Sequence, residues 1–576
     1  MIIKGENMRI TNLEIKNFRG INSCNIEFPF ESRVLCLIGA GDSTKSTILK
    51  AIEWVLWPTW NLVVCDNDFY LGDTKSSIVI RGTFAEIPDA LLTEDKFGLY
   101  LRRSGIELKS GIDDEPVEDS PICLTIELTI DASLEPKWVV VCNRKEPKSI
   151  SNADRRLIQT GFVGDNCSKD MTWGKHSVLQ KYANSKDTLH EAYTTALREA
   201  INQANLSSLD SVSETIVGVG KQYGVGFNGE LKSKIMMQNG SFSSTVGIFE
   251  GSTPLSQRGN GSQKLLSIGL NIQSFSGNAL LLIDEIETGL EPYRLKSLIA
   301  ELRATHENSG QVIFTTHSPV AVTECTIKEL VIINSKAGKT SSHSLFSDDK
   351  ESNNNFQAEI RRNAEVFLSK RIIVCEGKTE IGFVRAFDKF LYATRNYRMA
   401  YKGISIADGG GNNIFKCVNV LLKCGYDICL LMDSDLSDEE FEKKALRDKG
   451  IFVFDWDAPN ALEEQVFFDV PIETAVKLLN LAKEKASIAS ICDKLKNEGI
   501  ICSVDSEEEI SFLELEPNAQ KKIGTVAKHS KSEWFKRIDL GESLGDIVFE
   551  HWDKVDNNSK LKKTVNELST WVINND

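Results

Sequence analysis

Apolar residues alternate near the start of the chain as Ile10, Leu13, Ile15 and Phe18, then Ile21, Ile26 and Phe28, with Arg19-Gly20 between the two runs. Alternation of period two predicts half-buried strands, and the short polar break predicts a hairpin. A continuous apolar run at 34–38 predicts a buried strand, and helical spacing from Lys45 to Trp57, stopped by Pro58, predicts a helix after it. Further β-rich segments occupy 76–141, with acidic turn material at 113–119. From 153 to 234 the pattern turns helical and rich in Lys, Asn, Ser and Asp, which reads as an insertion. Strand signals return between 252 and 333. Residues 334–355 are polar and nearly free of large apolar side chains, which predicts a linker. Beyond them, short apolar runs at 372–375, 404–407, 429–432 and 451–454 alternate with helical stretches, the pattern of a parallel α/β sheet.

With 576 residues, 41% of them hydrophobic, the chain has apolar material for two or three cores. The expected division is 1–152 and 235–333 as two parts of one lobe, 153–234 as a helical insertion, 334–365 as a linker and 366–576 as a second domain. A formal charge of −15 argues against a protein that coats nucleic acid non-specifically, yet leaves room for a local basic track. Thirteen cysteines, an odd number with no two-residue spacing, argue against a zinc ribbon and a disulfide framework and fit a reducing cytoplasm. Residues 1–7 are polar, unlike a signal peptide, and Met8 is an alternative start. No apolar run approaches the ~20 residues of a membrane span, so no membrane is expected as a partner.

Gly39-Ala40-Gly41-Asp42-Ser43-Thr44-Lys45-Ser46-Thr47 sits where a strand ends and a helix begins. Backbone N–H groups and the helix dipole hold phosphates at such a place. Gly39, Gly41, Lys45, Ser46 and Thr47 are therefore candidate nucleotide contacts, with Lys45 on the β- and γ-phosphates of ATP and the Ser46 hydroxyl on Mg²⁺. The motif departs from the Walker A pattern at Thr44, where the second Gly normally lies; a Cβ there crowds the phosphate or forces an unfavourable backbone angle. The run 279–283 ends in Asp284-Glu285, which suits Asp284 to Mg²⁺ and Glu285 to orienting the attacking water. The next apolar strand ends in Thr315-Thr316-His317-Ser318, and His317 is placed to sense a γ-phosphate. Leu255-Ser256-Gln257-Arg258-Gly259-Asn260-Gly261-Ser262-Gln263-Lys264 precedes an apolar helix and resembles an ABC signature motif of the SMC/RecF kind. That resemblance implies that Ser256, Arg258, Gly259 and Gly261 of one subunit complete the ATP site of another, so the active unit is a homodimer or higher homo-oligomer. It also implies that 153–234 stands where SMC proteins carry a coiled-coil arm and serves dimerisation.

In the last third, Glu376-Gly377 ends an apolar strand, with Glu380 four residues on, and a later strand runs into Asp433-Ser434-Asp435. A strand ending in Asp-x-Asp sends both carboxylates to one side, where like charges are tolerable mainly with a cation between them. Hard oxygen ligands select Mg²⁺ or Mn²⁺. Glu376, Glu380, Asp433 and Asp435 are the candidate ligands, with Glu463 or Glu464 completing a second metal shell and a Gly-rich turn, 407–412, in the same crevice. The basic, aromatic segment 528–537 offers Lys536 as a charge-stabilising lysine anchored by Trp534 and Phe535.

These paired motif sets match an ABC-type ATPase followed by a Toprim domain, and the order resembles the OLD (overcoming lysogenisation defect) family of nucleases. The resemblance implies an α/β fold: an ABC ATPase lobe with a helical dimerisation insertion, then a Rossmann-like parallel sheet. It also implies an ATP-regulated, Mg²⁺-dependent DNA endonuclease of antiphage defence, with Glu376, Asp433, Asp435 and Lys536 at its centre. Some members of that family act with a helicase, and others are encoded beside a retron reverse transcriptase and its DNA–RNA product, so the resemblance admits either as a partner. The competing expectation is an ATP-dependent DNA clamp or scaffold with an inactive Toprim region.

Overall fold

The computed structural model describes residues 8–104, 112–113, 121–164, 167–173, 177–179, 209–236, 245–274, 279–434, 439–504, 509–512, 519–529 and 533–574. The chain divides into two compact units, Met1–Asn353 and Asn354–Asp576.

The first unit opens with the hairpin that the alternation predicts. Strands β1 (Arg9–Phe18) and β2 (Ile21–Glu27) pair antiparallel with Phe18 opposite Ile21, and their apolar positions are buried. Arg19 takes the turn with φ 49°, held by its ion pair to Asp68 at 2.9 Å. Strand β3 (Val34–Ile38) is buried throughout and delivers the chain to helix α1 (Lys45–Val55). Strands β4 (Ile78–Ala85) and β5 (Ile122–Ile130) extend the antiparallel side.

The other side is parallel: β6 (Thr160–Val163), β7 (Leu280–Ile283), β8 (Gln311–Thr315), β3 and β9 (Leu330–Lys336) lie in that order. Strand β10 (Lys339–Ser344) joins the parallel side to β2, so one mixed sheet, of 14 strands among the described residues, runs through the unit. Apolar residues of β1 to β5, β7, β8 and β9 and of α1 meet in one buried cluster.

Two expectations need correction. Residues 153–234 are not a helical insertion from their start, because β6 pairs in register with β7 within the main sheet, Thr160 against Leu280 and Val163 against Ile283. A four-residue edge strand is too short to display a period, and its burial comes from the strand beside it. The stretch 180–208 of the expected dimerisation segment lies outside the described residues, and helix Asp210–Gln222 follows it. The predicted linker 334–355 instead contains the end of β9, all of β10 and the start of helix Lys350–Arg362. Its Ser- and Thr-rich β10 pairs with β9 and β2, so backbone pairing rather than apolar side chains places it there.

The second unit carries the predicted parallel sheet. β11 (Arg371–Cys375), β12 (Ile404–Asp408), β13 (Asp427–Leu431) and β14 (Phe452–Phe454) lie in the order β12-β11-β13-β14, all parallel. Because β11 is central, the chain leaves β11 and β13 side by side at the carboxyl edge, where open α/β sheets form their crevice. Helix α2 (Lys378–Arg395) starts at once after β11 and packs on α3 (Ile538–Glu550). This crossing is glycine-mediated. A Cβ at Gly382 would stand 2.3 Å from the Ile538 carbonyl oxygen, and one at Gly541 2.5 Å from that of Thr379.

The close approach fixes the first turn of α2, which carries Thr379 and Glu380. Gly382→Ala is therefore expected to destabilise the protein by about 1–3 kcal/mol, the usual cost of overpacking. Urea unfolding followed by tryptophan fluorescence would check this, and an unchanged midpoint would contradict the packing described.

Candidate functional site

Two constellations stand at strand ends, one in each unit. In the first, the loop from β3 to α1 passes through Gly39 at φ 145°, where a Cβ would stand 2.2 Å from the Ile333 carbonyl oxygen. Thr44 takes the left-handed region at φ 67°, ψ 13°. Of the two consequences expected for this residue, the unfavourable backbone angle is present, at a cost of about 1–2 kcal/mol for an L-residue. Its hydroxyl lies 2.6 Å from the Ser43 carbonyl oxygen and 3.0 Å from the Thr340 hydroxyl.

The Lys45 ammonium folds back to donate to the carbonyl oxygens of Gly39 (2.9 Å) and Ala40 (2.8 Å). Burial pulls its pKa down to about 8, countered in part by the Asp284 carboxylate. Strand order β7-β8-β3 sets Asp284 opposite this loop. Asp284 Oδ1 accepts from Ser46 Oγ at 2.9 Å and from Thr315 Oγ1 at 2.6 Å. A hydroxyl already joined to a carboxylate is the pair that a nucleotide-bound Mg²⁺ uses. Thr47 is half-buried beside Ser46, while Gly41 is exposed with open space around it.

Glu285 adopts φ 45°; its N–H donates to Thr315 Oγ1 (2.8 Å) and its carboxylate accepts from Thr288 (3.2 Å). His317 is ordered through its backbone, whose N–H donates to Glu287 Oε1 at 2.6 Å. The signature-like segment leads into helix Asn260–Ser274. Gly261 abuts the Gly289 carbonyl oxygen, 2.0 Å from where its Cβ would be, and Gly259 is exposed with open space around it. The Gln263 side-chain amide donates to the carbonyl oxygens of Ser256 (3.0 Å) and Arg258 (2.6 Å), and Arg258 pairs with Glu250 at 3.2 Å. Lys264, fully buried, donates to the carbonyl oxygens of Asp284 (2.7 Å) and Glu285.

In the second unit, Glu376, Glu380, Asp433 and Glu463 line one cavity of about 520 Å³, together with Glu464, Lys378, Lys528, His529, Glu533 and Lys536. The Asp433 N–H donates to Glu376 Oε2 at 2.9 Å, which joins the ends of β11 and β13 directly. Asp433 Oδ1 accepts from the Leu462 N–H at 2.8 Å. Glu380 caps its own helix by accepting from the Gly377 N–H at 2.9 Å, and Glu463 accepts from Thr379 Oγ1 at 3.0 Å. Burial, then the neighbouring Glu463 and Glu376 carboxylates, pushes Glu380 up to about 8. Asp433 is raised well above the usual carboxylate range by burial and by Glu380, Glu463 and Glu376, and Glu463 is raised by burial against the pull of Lys536 and Lys528.

The cavity separates the two late acids that the sequence left open. Glu463 is buried beside Glu380, whereas Glu464 pairs with Lys528 at 3.2 Å. Lys536 lies at the rim, its ammonium 3.1 Å from Glu533, and the adjoining Trp534 and Phe535 are fully buried, as the anchoring argument expects. Asp435 lies outside the described residues. Among the described residues no three His, Cys, Asp or Glu side chains are already arranged around a metal-sized gap. Glu287, which accepts from Thr316 and His317, and Lys443, which donates to the Asp433 carbonyl oxygen, organise these strand ends without a sequence signal, since a lone acid or lysine on a helix or turn is ordinarily solvated.

Carboxyls with raised folded pKa values keep protons that the unfolded chain has released. Their stabilising effect is full below the unfolded values near 4 and is lost as pH rises toward 8. In chelator, Glu380→Gln, which keeps the capping oxygen and never ionises, is expected to gain stability relative to wild type from pH 5 to pH 8, by roughly 3 kcal/mol at the upper end. Parallel urea midpoints across that window would contradict the crowding of charges.

Three family models match: an AAA ATPase domain at residues 8–119, an AAA domain at 194–323, and an "Overcoming lysogenization defect protein-like, TOPRIM domain" at 367–435. The Old nuclease of Escherichia phage P2 is 21% identical over 86% of this chain and 91% of its own length. Among solved structures, an SmcHead bound to the C-winged helix domain of ScpA is 15% identical over 59% of this chain and 98% of that one, with a TM-score of 0.38. The SMC head domain from Thermotoga maritima is 14% identical over 59% of this chain and 100% of that one, with a TM-score of 0.30, and both likenesses are too slight to bear on function. The chain thus joins AAA-type ATPase segments to an overcoming-lysogenization-defect-protein-like TOPRIM domain, and is distantly related to a phage Old nuclease along most of its length.

Proposed function

We propose that this protein is an ATP-regulated, divalent-metal-dependent DNA endonuclease of antiphage defence, acting in the cytoplasm as a homodimer. The observation that carries the reading is the joining of Asp433 to Glu376 in a cavity shared with buried Glu380 and Glu463. Burial and mutual charge raise the pKa of these acids, and an oxygen-only donor set of this kind fits Mg²⁺ or Mn²⁺. Glu376, Glu380, Asp433 and Glu463, with Asp435, would hold such ions, which supply an activated water and charge stabilisation for in-line displacement at phosphorus. Lys536 sits at the rim of that cavity and offers its ammonium to the phosphate as negative charge builds there. The Gly377 N-cap keeps Glu380 turned inward by binding its carboxylate, and Thr379 does the same for Glu463.

In the first unit, Lys45, Ser46 and Asp284 bind ATP and Mg²⁺, Glu285 orients water, and His317 reports on the γ-phosphate. Nucleotide held between the Lys45 loop of one subunit and the Ser256–Gly261 segment of another controls access to the acidic cavity. The likeness to an Old nuclease and the OLD-like TOPRIM match support DNA as substrate and phage as the context. The alternative reading is an ATP-dependent DNA clamp with an inert cavity.

Supercoiled plasmid separates these readings. Wild type with Mg²⁺ or Mn²⁺ is expected to yield open circles and linears. Relaxed closed circles would indicate a religating enzyme, and retention of intact plasmid under every metal would indicate the clamp. Asp433→Ala is expected to lower cleavage at least about 100-fold while ATP binding persists. Conversely, Lys45→Ala should abolish ATP binding in equilibrium dialysis and leave the metal affinity of the acidic cavity unchanged.

A further inference from the structure

Among the described residues Lys443 is one of the largest fully buried side chains, 1% exposed, on helix Glu440–Asp448. A buried ammonium is costly unless its donors are used. Here they reach the main-chain carbonyl oxygen of Asp433 at 2.5 Å and the Ser434 hydroxyl at 3.4 Å, with an Asp455 carboxylate oxygen at 3.8 Å. Asp455, at the end of β14, is also held by Arg447 (2.5 Å) and Lys560 (3.5 Å), so three cations share this acid. Lys443 therefore keeps a donor for the backbone instead of being consumed in a closed ion pair.

Asp433 is held from every other side as well. Its N–H donates to Glu376, its Oδ1 accepts from Leu462, and the next N–H, that of Ser434, donates to the Asn460 carbonyl oxygen at 3.0 Å. Three bonds on Asp433, counting that from Lys443, and one on Ser434 hold this strand end. The Lys443 bond holds the carbonyl of Asp433, as Glu376 holds its N–H.

We infer that Lys443 is a positioning residue for the cation site: its ammonium clamps the Asp433 carbonyl so that the Asp433 carboxylate is preset to receive a divalent metal. The inference rests on the nuclease reading above. Groups that orient metal ligands in this way usually change metal affinity 10- to 100-fold when removed.

The test is Mn²⁺ binding to the whole protein without substrate, followed by electron paramagnetic resonance, beside plasmid cleavage as a function of Mn²⁺. Lys443→Met, similar in length and uncharged, is expected to weaken Mn²⁺ binding 10- to 100-fold and to move the cleavage midpoint by the same factor. Lys443→Gln, which keeps a donor, is expected to fall between Met and wild type, and it carries the test if circular dichroism shows the Met variant unfolded. Wild-type Mn²⁺ affinity in a folded variant overturns the inference, as does a lower plateau rate at an unchanged midpoint. If wild type binds Mn²⁺ in the cavity but cuts nothing, the nuclease reading fails instead, and the affinity shift still decides the role of Lys443.

Discussion

Packing several carboxylates into a water-poor cavity is among the least favourable arrangements a fold can hold, and in the second unit the rest of the architecture answers to it. Asp433 meets Glu376 across two adjacent strand ends, and Glu380 and Glu463 close in from helices. Each acid is tied by a backbone or hydroxyl donor that fixes its direction without neutralising it: Leu462 for Asp433, Gly377 for Glu380, Thr379 for Glu463. Protons relieve the repulsion when nothing else does, which is why burial and mutual charge raise these groups together. The glycines at the crossing of α2 and α3 belong to the same constraint, because only a close approach there keeps Thr379 and Glu380 against the cavity.

The first unit solves a related problem with fewer charges. Asp284 is satisfied by two hydroxyls, Ser46 and Thr315, and Lys45 is turned onto the carbonyl oxygens of its own loop. Both units use the same device at the acid-bearing strand end. A fully buried lysine from a helix, Lys264 in one and Lys443 in the other, donates to the main-chain carbonyl of the critical aspartate. Such a lysine fixes the backbone while leaving the carboxylate free for other partners. Thr44 shows the opposite balance: the backbone accepts a left-handed β-branched residue, and its hydroxyl is satisfied locally.

Much of this was legible from residue order because it is written in local patterns. Alternation gave the β1–β2 hairpin, and short apolar runs gave β3, β7, β8 and the four parallel strands of the second unit. The acids at their ends, Asp284, Glu376 and Asp433, followed from strand termini alone, since a strand that ends in a carboxylate presents it at the sheet edge whatever surrounds it. Thr44 was visible as a departure from a glycine position for the same reason.

What the chain could not announce depends on partners distant in sequence. Strand β6 exists because β7 lies beside it, and β10 because β9 and β2 supply hydrogen bonds that its polar side chains do not advertise. Glu463 and Glu464 are adjacent and chemically alike, yet one is buried among acids and the other is paired with Lys528, a distinction set by which face of their helix the neighbouring helix covers. Lys443 carries no pattern at all; only its burial against the Asp433 carbonyl gives it a role. Local sequence determined which chemistry stands at each strand end, because periodicity and chain termination are properties of a few consecutive residues. Tertiary structure decided which of those groups meet, because burial and charge crowding arise only between segments that folding brings together.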